Sequence, residues 1–251
     1  MSSLSKMLSI LDLFTVEMPM WSSEAICDVI GCSAPTGYRY LRELVGAGLL
    51  ARLGNGSYTL GPRVMTLDYQ LRTVDPFFRA GQPQMQELSR QTGCDCVMTR
   101  IFDDEVVDTH RESGVDGLHL AYGRGRPRPL FRGAAPKVIL STQTRARLSR
   151  LFHKHAAAAA EATMGETFEA FWSRLQEIRK AGFYVSKGEL EPEIGAIAVP
   201  LFADGPQAVG ALAIVIPLRR FELMHHEKLL ELLRETAKRI SAAVAEESLG
   251  D

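Results

Sequence analysis

Residues 33–63 read SAPTGYRYLRELVGAGLLARLGNGSYTLGPR, and the class of the chain turns on them. Ser33 can cap a helix whose apolar face is Tyr40, Leu41, Leu44 and Val45 and which runs out at Gly46-Ala47-Gly48. Beyond it, residues 49–53 and 57–60 alternate as two short strands joined by Gly54-Asn55-Gly56. Asn-Gly between alternating runs is the strongest short hairpin signal. Upstream, Met7, Leu8, Ile10, Leu11 and Phe14 recur at helical spacing and predict a helix over residues 5–14, broken by Met18-Pro19-Met20. Ser22 or Ser23 can cap a second helix that runs to Ile30 and ends at Gly31. Three helices followed by a hairpin make a winged helix-turn-helix over residues 1–61.

Downstream, Gly61-Pro62 closes this unit, and residues 62–75 read as a linker helix with Val64, Leu67 and Leu71 on one face. Pro76 opens another helix, with Phe77, Phe78, Met85 and Leu88 inward, ending at Gly93. Val97, Met98 and Ile101, then Val106 and Val107, read as strands paired across Asp103-Asp104. A basic loop over 123–129 precedes a helix at 133–140, and a short alanine run occupies 156–160. Phe171, Trp172, Leu175 and Ile178 set a helix over 168–181, stopped by Gly182. Strands follow at 183–186, 194–202 and 208–216, then one long helix at 221–247. Helices flanking an antiparallel sheet make residues 76–251 an α+β domain.

The bulk numbers fit two domains: 251 residues, 46% hydrophobic and 24% charged. No apolar stretch approaches the roughly 20 residues that cross a bilayer. The first 13 residues lack a basic start followed by an unbroken apolar core, so they are no signal peptide. Four cysteines without an export signal point to free thiols and the cytoplasm. The net charge of −1 decides nothing about nucleic acid. Residues 33–63 do carry four arginines against one glutamate, so a DNA surface would come from charge placement.

A helix entering the major groove needs short or polar residues at its start and basic residues along its outer face. Ala34, Pro35 and Thr36 open the third helix, and Tyr38, Arg39 and Arg42 follow opposite Leu41 and Leu44. Arg39 or Arg42 can read guanine or pair with phosphate. Arg52 and Asn55 would set the wing on the backbone or in the minor groove. The plain alternative is a solvated helix face.

The segment from Glu24 to Leu67 resembles the DNA-binding head of the IclR family of bacterial transcriptional regulators. Tyr58-Thr59-Leu60-Gly61-Pro62-Arg63 is similar to the family's closing Tyr-x-Leu-Gly-x-Arg, and residues 36–41 to its recognition segment. Residues 129–140 (PLFRGAAPKVIL) resemble its Pro-Leu-x-x-x-Ala-x-Gly-Lys-x-x-Leu run, with Lys137 in place and Pro136 where glycine is usual. Residues 178–202 (IRKAGFYVSKGELEPEIGAIAVPLF) resemble a second family run, with Glu193 replacing a glycine. The resemblance implies a GAF-like effector domain, no cofactor and no catalysis. Its partners would be double-stranded operator DNA, a small organic effector and a second copy, as homodimer or dimer of dimers.

By position, the resemblance puts Leu130, Gly133 and Ala134 on one wall of the effector pocket, and Ser186, Ala196, Ala213 and Val215 on the other. Family members that take small carboxylates tend to have Cys or Ser at the last three places. Ala, Ala and Val there imply a more apolar or aromatic acid, because a pocket with few donors does not compensate a buried charge. Small residues packing a sheet are the alternative.

Other constellations carry less. Cys94 and Cys96 share a strand face near His110, but without further ligands at a zinc spacing they read as buried thiols. His153, His155, His225 and His226 read as surface residues. Glu189, Glu191 and Glu193 read as a solvated carboxylate run with no acid–base partner. Gly123-Arg124-Gly125 lacks the Gly-Lys-Ser/Thr of a P-loop. Arg124, Arg126, Arg128 and Arg132 stand open between a subunit contact, attraction of anionic effectors and plain exposure. An enzyme acting on a small metabolite and a protein–protein module are the rival classes; an activity screen and operator footprinting separate them.

Overall fold

The computed structural model describes residues 2–115, 117–118, 120, 123–162 and 164–248. The chain divides into two compact units, Met1–Val74 and Asp75–Asp251.

In the first unit, α1 spans Ser3–Leu8, with the Ser2 hydroxyl accepting from the Ser5 N–H at 3.1 Å. The helix expected over 5–14 does not run through. At Ser9 the hydroxyl turns back to the Lys6 carbonyl (3.0 Å), and the chain tightens into a 3₁₀ turn at Leu11–Leu13. A competing side-chain bond of this kind bends helices, and the tighter turn delivers Ile10 to the core, fully buried. Helix α2, Ser23–Ile30, is capped by Ser22, and Gly31 ends it in the left-handed conformation (φ +67°). Helix α3 spans Ala34–Gly46. Ser33 holds the N-cap position and its carbonyl accepts the first helical bond, from the Gly37 N–H at 2.9 Å, but its hydroxyl binds Thr36 instead of capping.

The wing is β1 (Leu50–Arg52) paired with β2 (Tyr58–Leu60), both shorter than the sequence suggests. Trp21 adds an isolated bridge to Tyr58. Ile10, Ile26, Tyr40, Leu41, Leu44, Leu50 and Tyr58 form the core. Helix α4, Arg63–Val74, buries none of its residues.

In the second unit α5 (Pro76–Thr92) leads into β3 (Asp95–Phe102) and β4 (Glu105–Glu112). Next come β5 (Pro127–Arg128), α6 (Ala134–Ser141), α7 (Arg145–Lys154), α8 (Ala156–Glu161) and α9 (Phe168–Ala181). Strands β6 (Tyr184–Lys187), β7 (Ile194–Leu201) and β8 (Gly210–Pro217) follow, then α10 (Leu218–Phe221) and α11 (His226–Ser248). The sheet has six antiparallel strands in the order β5-β4-β3-β8-β7-β6.

Alternation along the central strands sorts their side chains between two cores. Ile197, Val199, Leu212, Ile214 and Ile216 face α5 and α11. Ala198, Ala211 and Ala213 face α6 and α9, where their small size lets α6 approach the sheet. The expected α+β class with a winged head is the architecture observed. Within the second unit three further elements differ from expectation. Helix α7 occupies a stretch with no assigned structure, β5 interrupts the basic loop, and the final helix comes in two pieces. Phe221, fully buried, ends α10, and the His226 ring meets its carbonyl at 2.6 Å as α11 begins.

Candidate DNA interface and effector pocket

Packing of Tyr40, Leu41 and Leu44 into the first unit turns the other side of α3 outward. Ala34, Pro35, Tyr38, Arg39 and Arg42 are exposed and Thr36 is half-buried. Across from them Arg52 and Asn55 are exposed on the wing. A groove of about 510 Å³ runs between helix and wing, and Pro35, Tyr38, Arg39, Arg42 and Arg52 all line it. Three arginines therefore line one open channel, with Glu43 no closer than a 3.6 Å surface contact to Arg42. The Ser23 hydroxyl donates to the Tyr38 oxygen at 3.3 Å, which ties the ring to α2. The Asn55 carboxamide oxygen is used within the turn, accepting the Ser57 N–H at 3.0 Å.

In the second unit a small cavity lies between the sheet and the start of α6. Ala134, Ser186, Ala196, Ala213 and Val215 line it, as their positions suggest. Leu130 and Gly133 do not. Leu130 points into the core shared with α9, and Gly133 is covered by Leu190. A Cβ on Gly133 would lie 2.9 Å from the Leu190 methyl, and its φ of +87° also favours glycine. The cavity measures about 30 Å³, roughly the share of one water molecule.

Two charged residues matter here, Arg128, one of the four arginines left open between three roles, and Glu189, expected to be solvated. Arg128, whose side chain is 10% exposed, lines the cavity while donating to Asp108 at 2.9 Å. Asp108 also accepts from Thr99 at 2.8 Å; its burial raises its pKa and the guanidinium opposes that rise. Glu189 is not a solvated carboxylate. It accepts from the Lys137 ammonium (2.7 Å), the Tyr184 hydroxyl (2.9 Å) and the Gly133 N–H (2.9 Å), and Arg132 holds its main-chain oxygen. Burial, and then the nearby Glu189 charge, push Tyr184 up to about 12. Residues 188–193, which carry Leu190 and Glu191 onto the cavity, are thus latched to the start of α6. The available signal was Gly188 and Pro192 bracketing a turn at the sheet edge.

The departures from the family pattern fit locally. Pro136 sits in the first turn of α6, where its missing N–H would have had no helical partner. Glu193 is exposed and its carbonyl accepts the Leu218 N–H at 2.8 Å. Cys94 and Cys96 are fully buried, and His110 pairs with Glu112 at 2.6 Å and meets the edge of Phe78. Among the described residues no group of three or more metal-ligating side chains converges. No described helix is long and apolar enough to cross a membrane.

Comparison with known proteins agrees with this geometry. The model of the IclR helix-turn-helix domain matches residues 3–54, and that of the bacterial transcriptional regulator IclR C-terminal domain matches residues 73–242. The HTH-type transcriptional regulator KdgR of Escherichia coli is 28% identical over 244 residues, 96% of this chain and 92% of the relative. Among solved structures, an IclR transcriptional regulator from Alicyclobacillus acidocaldarius is similar with a TM-score of 0.81 at 22% identity, covering 96% of this chain and 98% of that one. An IclR homologue from Microbacterium hydrocarbonoxydans, solved with 4-hydroxybenzoate, has a TM-score of 0.78 at 20% identity, covering 97% and 99%. Winged head, six-stranded sheet domain and both family models together place the chain in the IclR family of DNA-binding transcriptional regulators.

Proposed function

We propose that this chain is a cytoplasmic, effector-controlled regulator that grips a roughly palindromic operator as a homodimer or dimer of dimers. Its α3 would enter the major groove and its wing would follow the backbone. The observation that carries the reading is the convergence of Arg39, Arg42 and Arg52 on one open groove beside α3. A second copy is supported by α4, where Met65, Leu67, Tyr69, Leu71 and Val74 are all exposed. Duplex fragments selected from genomic DNA by the intact protein supply the probe. Arg39→Ala should weaken their binding by about 1–3 kcal/mol with the fold intact by circular dichroism. Unchanged gel-shift affinity would remove Arg39 from the contact set.

The effector is an acid with an apolar or aromatic body, its charge toward Arg128 and its body against Ala134, Ala196, Ala213 and Val215. The relative solved with 4-hydroxybenzoate supports that size class. Thermal shift with benzoate, 4-hydroxybenzoate, pyruvate and glyoxylate tests it: aromatic acids should raise the melting temperature of the second unit. Tight binding of pyruvate or glyoxylate in calorimetry contradicts the reading. Effector control requires that the acid prefer one arrangement of the assembly. Equal operator affinity with and without saturating acid would remove that part.

A further inference from the structure

Cys27 and Cys32 flank the bend between α2 and α3. The Cys32 N–H reaches back to the Cys27 carbonyl at 3.0 Å, the long-range bond of a Schellman turn around left-handed Gly31. That turn characteristically brings its first and last side chains into contact, and here both are thiols. A Cβ placed on Gly37 of α3 would stand 2.1 Å from the Cys27 sulfur and 3.5 Å from the Cys32 sulfur. The two sulfurs therefore both lie against Gly37 beneath the recognition helix, and both are free thiols. Cys27 is buried and Cys32 is half-buried, so Cys32 is the more accessible residue of the pair. An aliphatic pair would fill the same contact without redox chemistry.

We propose that Cys27 and Cys32 form a reversible dithiol–disulfide site that disables DNA binding when a peroxide is present. The Cys32 thiolate attacks the peroxide, cleaving its O–O bond to give a Cys32 sulfenic acid and water. The Cys27 sulfur then displaces hydroxide from that sulfenic sulfur, forming the disulfide and a second water. Two thiols lose two electrons and two protons, and hydrogen peroxide is reduced to two waters. Burial raises the Cys27 pKa, which keeps it from meeting the peroxide as a thiolate and leaves it the second of the two sulfurs to react. A sulfur–sulfur bond of about 2.05 Å draws Cys27 off Gly37, the point where α3 rests on it too closely for any Cβ. The recognition helix then loses its seat.

The proposal rests on the DNA-binding reading only for its consequence. Intact reduced protein is treated with hydrogen peroxide, remaining thiols are alkylated and peptides are weighed. The expected product is a Cys27–Cys32 linked peptide, lighter by two hydrogens and restored by dithiothreitol. On genomic duplex fragments selected by the reduced protein, oxidation should cost about tenfold or more in affinity, the size of one lost base contact, again reversibly. Cys32→Ser should keep the reduced affinity and ignore peroxide. A Cys27–Cys32 peptide that stays dithiol in peroxide overturns the proposal, as does a disulfide that leaves affinity unchanged. Should reduced protein select no duplex, the DNA-binding reading fails while the peptide masses still decide the disulfide.

Discussion

Glu189 gathers three donors from outside its own turn, and one of them, Lys137, is a cation only 3% exposed. Removing one charge of such a pair leaves the other buried without compensation, which is more damaging than never having built the pair. Glu189→Gln should cost the second unit about 2–4 kcal/mol in denaturant unfolding, below the full range for buried pairs because Glu189 keeps 23% exposure. Tyr184 gives a pH signature of the same cluster. Its pKa rises from 10 unfolded to about 12 folded, so its contribution is complete below pH 10. Between those values the unfolded state sheds the proton first, and stability falls as pH rises. Tyr184→Phe should flatten that alkaline decline; an unchanged slope would detach Tyr184 from it. None of this network was legible, because Glu189 and Lys137 are 52 positions apart and an alternating Glu run looks the same when solvated.

Helix ends proved easier to read than helix company. Helix α9 begins after a capping Thr167 and stops at left-handed Gly182, both local signals. Helix α7 buries only Leu148, Leu151 and Phe152, too brief a stripe to stand out among Arg and Lys. Strand β5 is two residues long and pairs with Val106 and Val107, too short a run for any alternation of side chains to announce. The head was legible because turn chemistry and apolar spacing agree there. At this scale α3 and the wing should act as one electrostatic surface. Arg52→Ala should lower the salt slope of DNA binding by about one without changing sequence preference. A changed preference would make Arg52 a base reader. Gly37→Ala places a carbon 2.1 Å from the Cys27 sulfur and should destabilise the head by about 1–3 kcal/mol.

Each unit has its own buried core, Ile10 to Tyr58 in the first and the two faces of the sheet in the second. Calorimetry of the intact chain should therefore resolve two transitions, with Gly37→Ala lowering one and Glu189→Gln the other. A single transition moved by both variants would show that the units melt together. The cavity also sets a condition on the molecule: at about 30 Å³ it is far below the roughly 300 Å³ or more of ordinary ligand sites. Hydrogen exchange across residues 188–193 should change on binding a matching acid.

Strand alternation in the second unit separates two kinds of evolutionary risk. Ala196 and Ala213 floor the chamber, while their immediate neighbours Ile197 and Ile214 belong to the opposite layer against α5 and α11. Exchanging either alanine for serine adds one oxygen to the chamber wall and leaves the aliphatic side chains behind the sheet untouched. New chemical tastes can be acquired one atom at a time on that floor, with the scaffold insulated from the experiment.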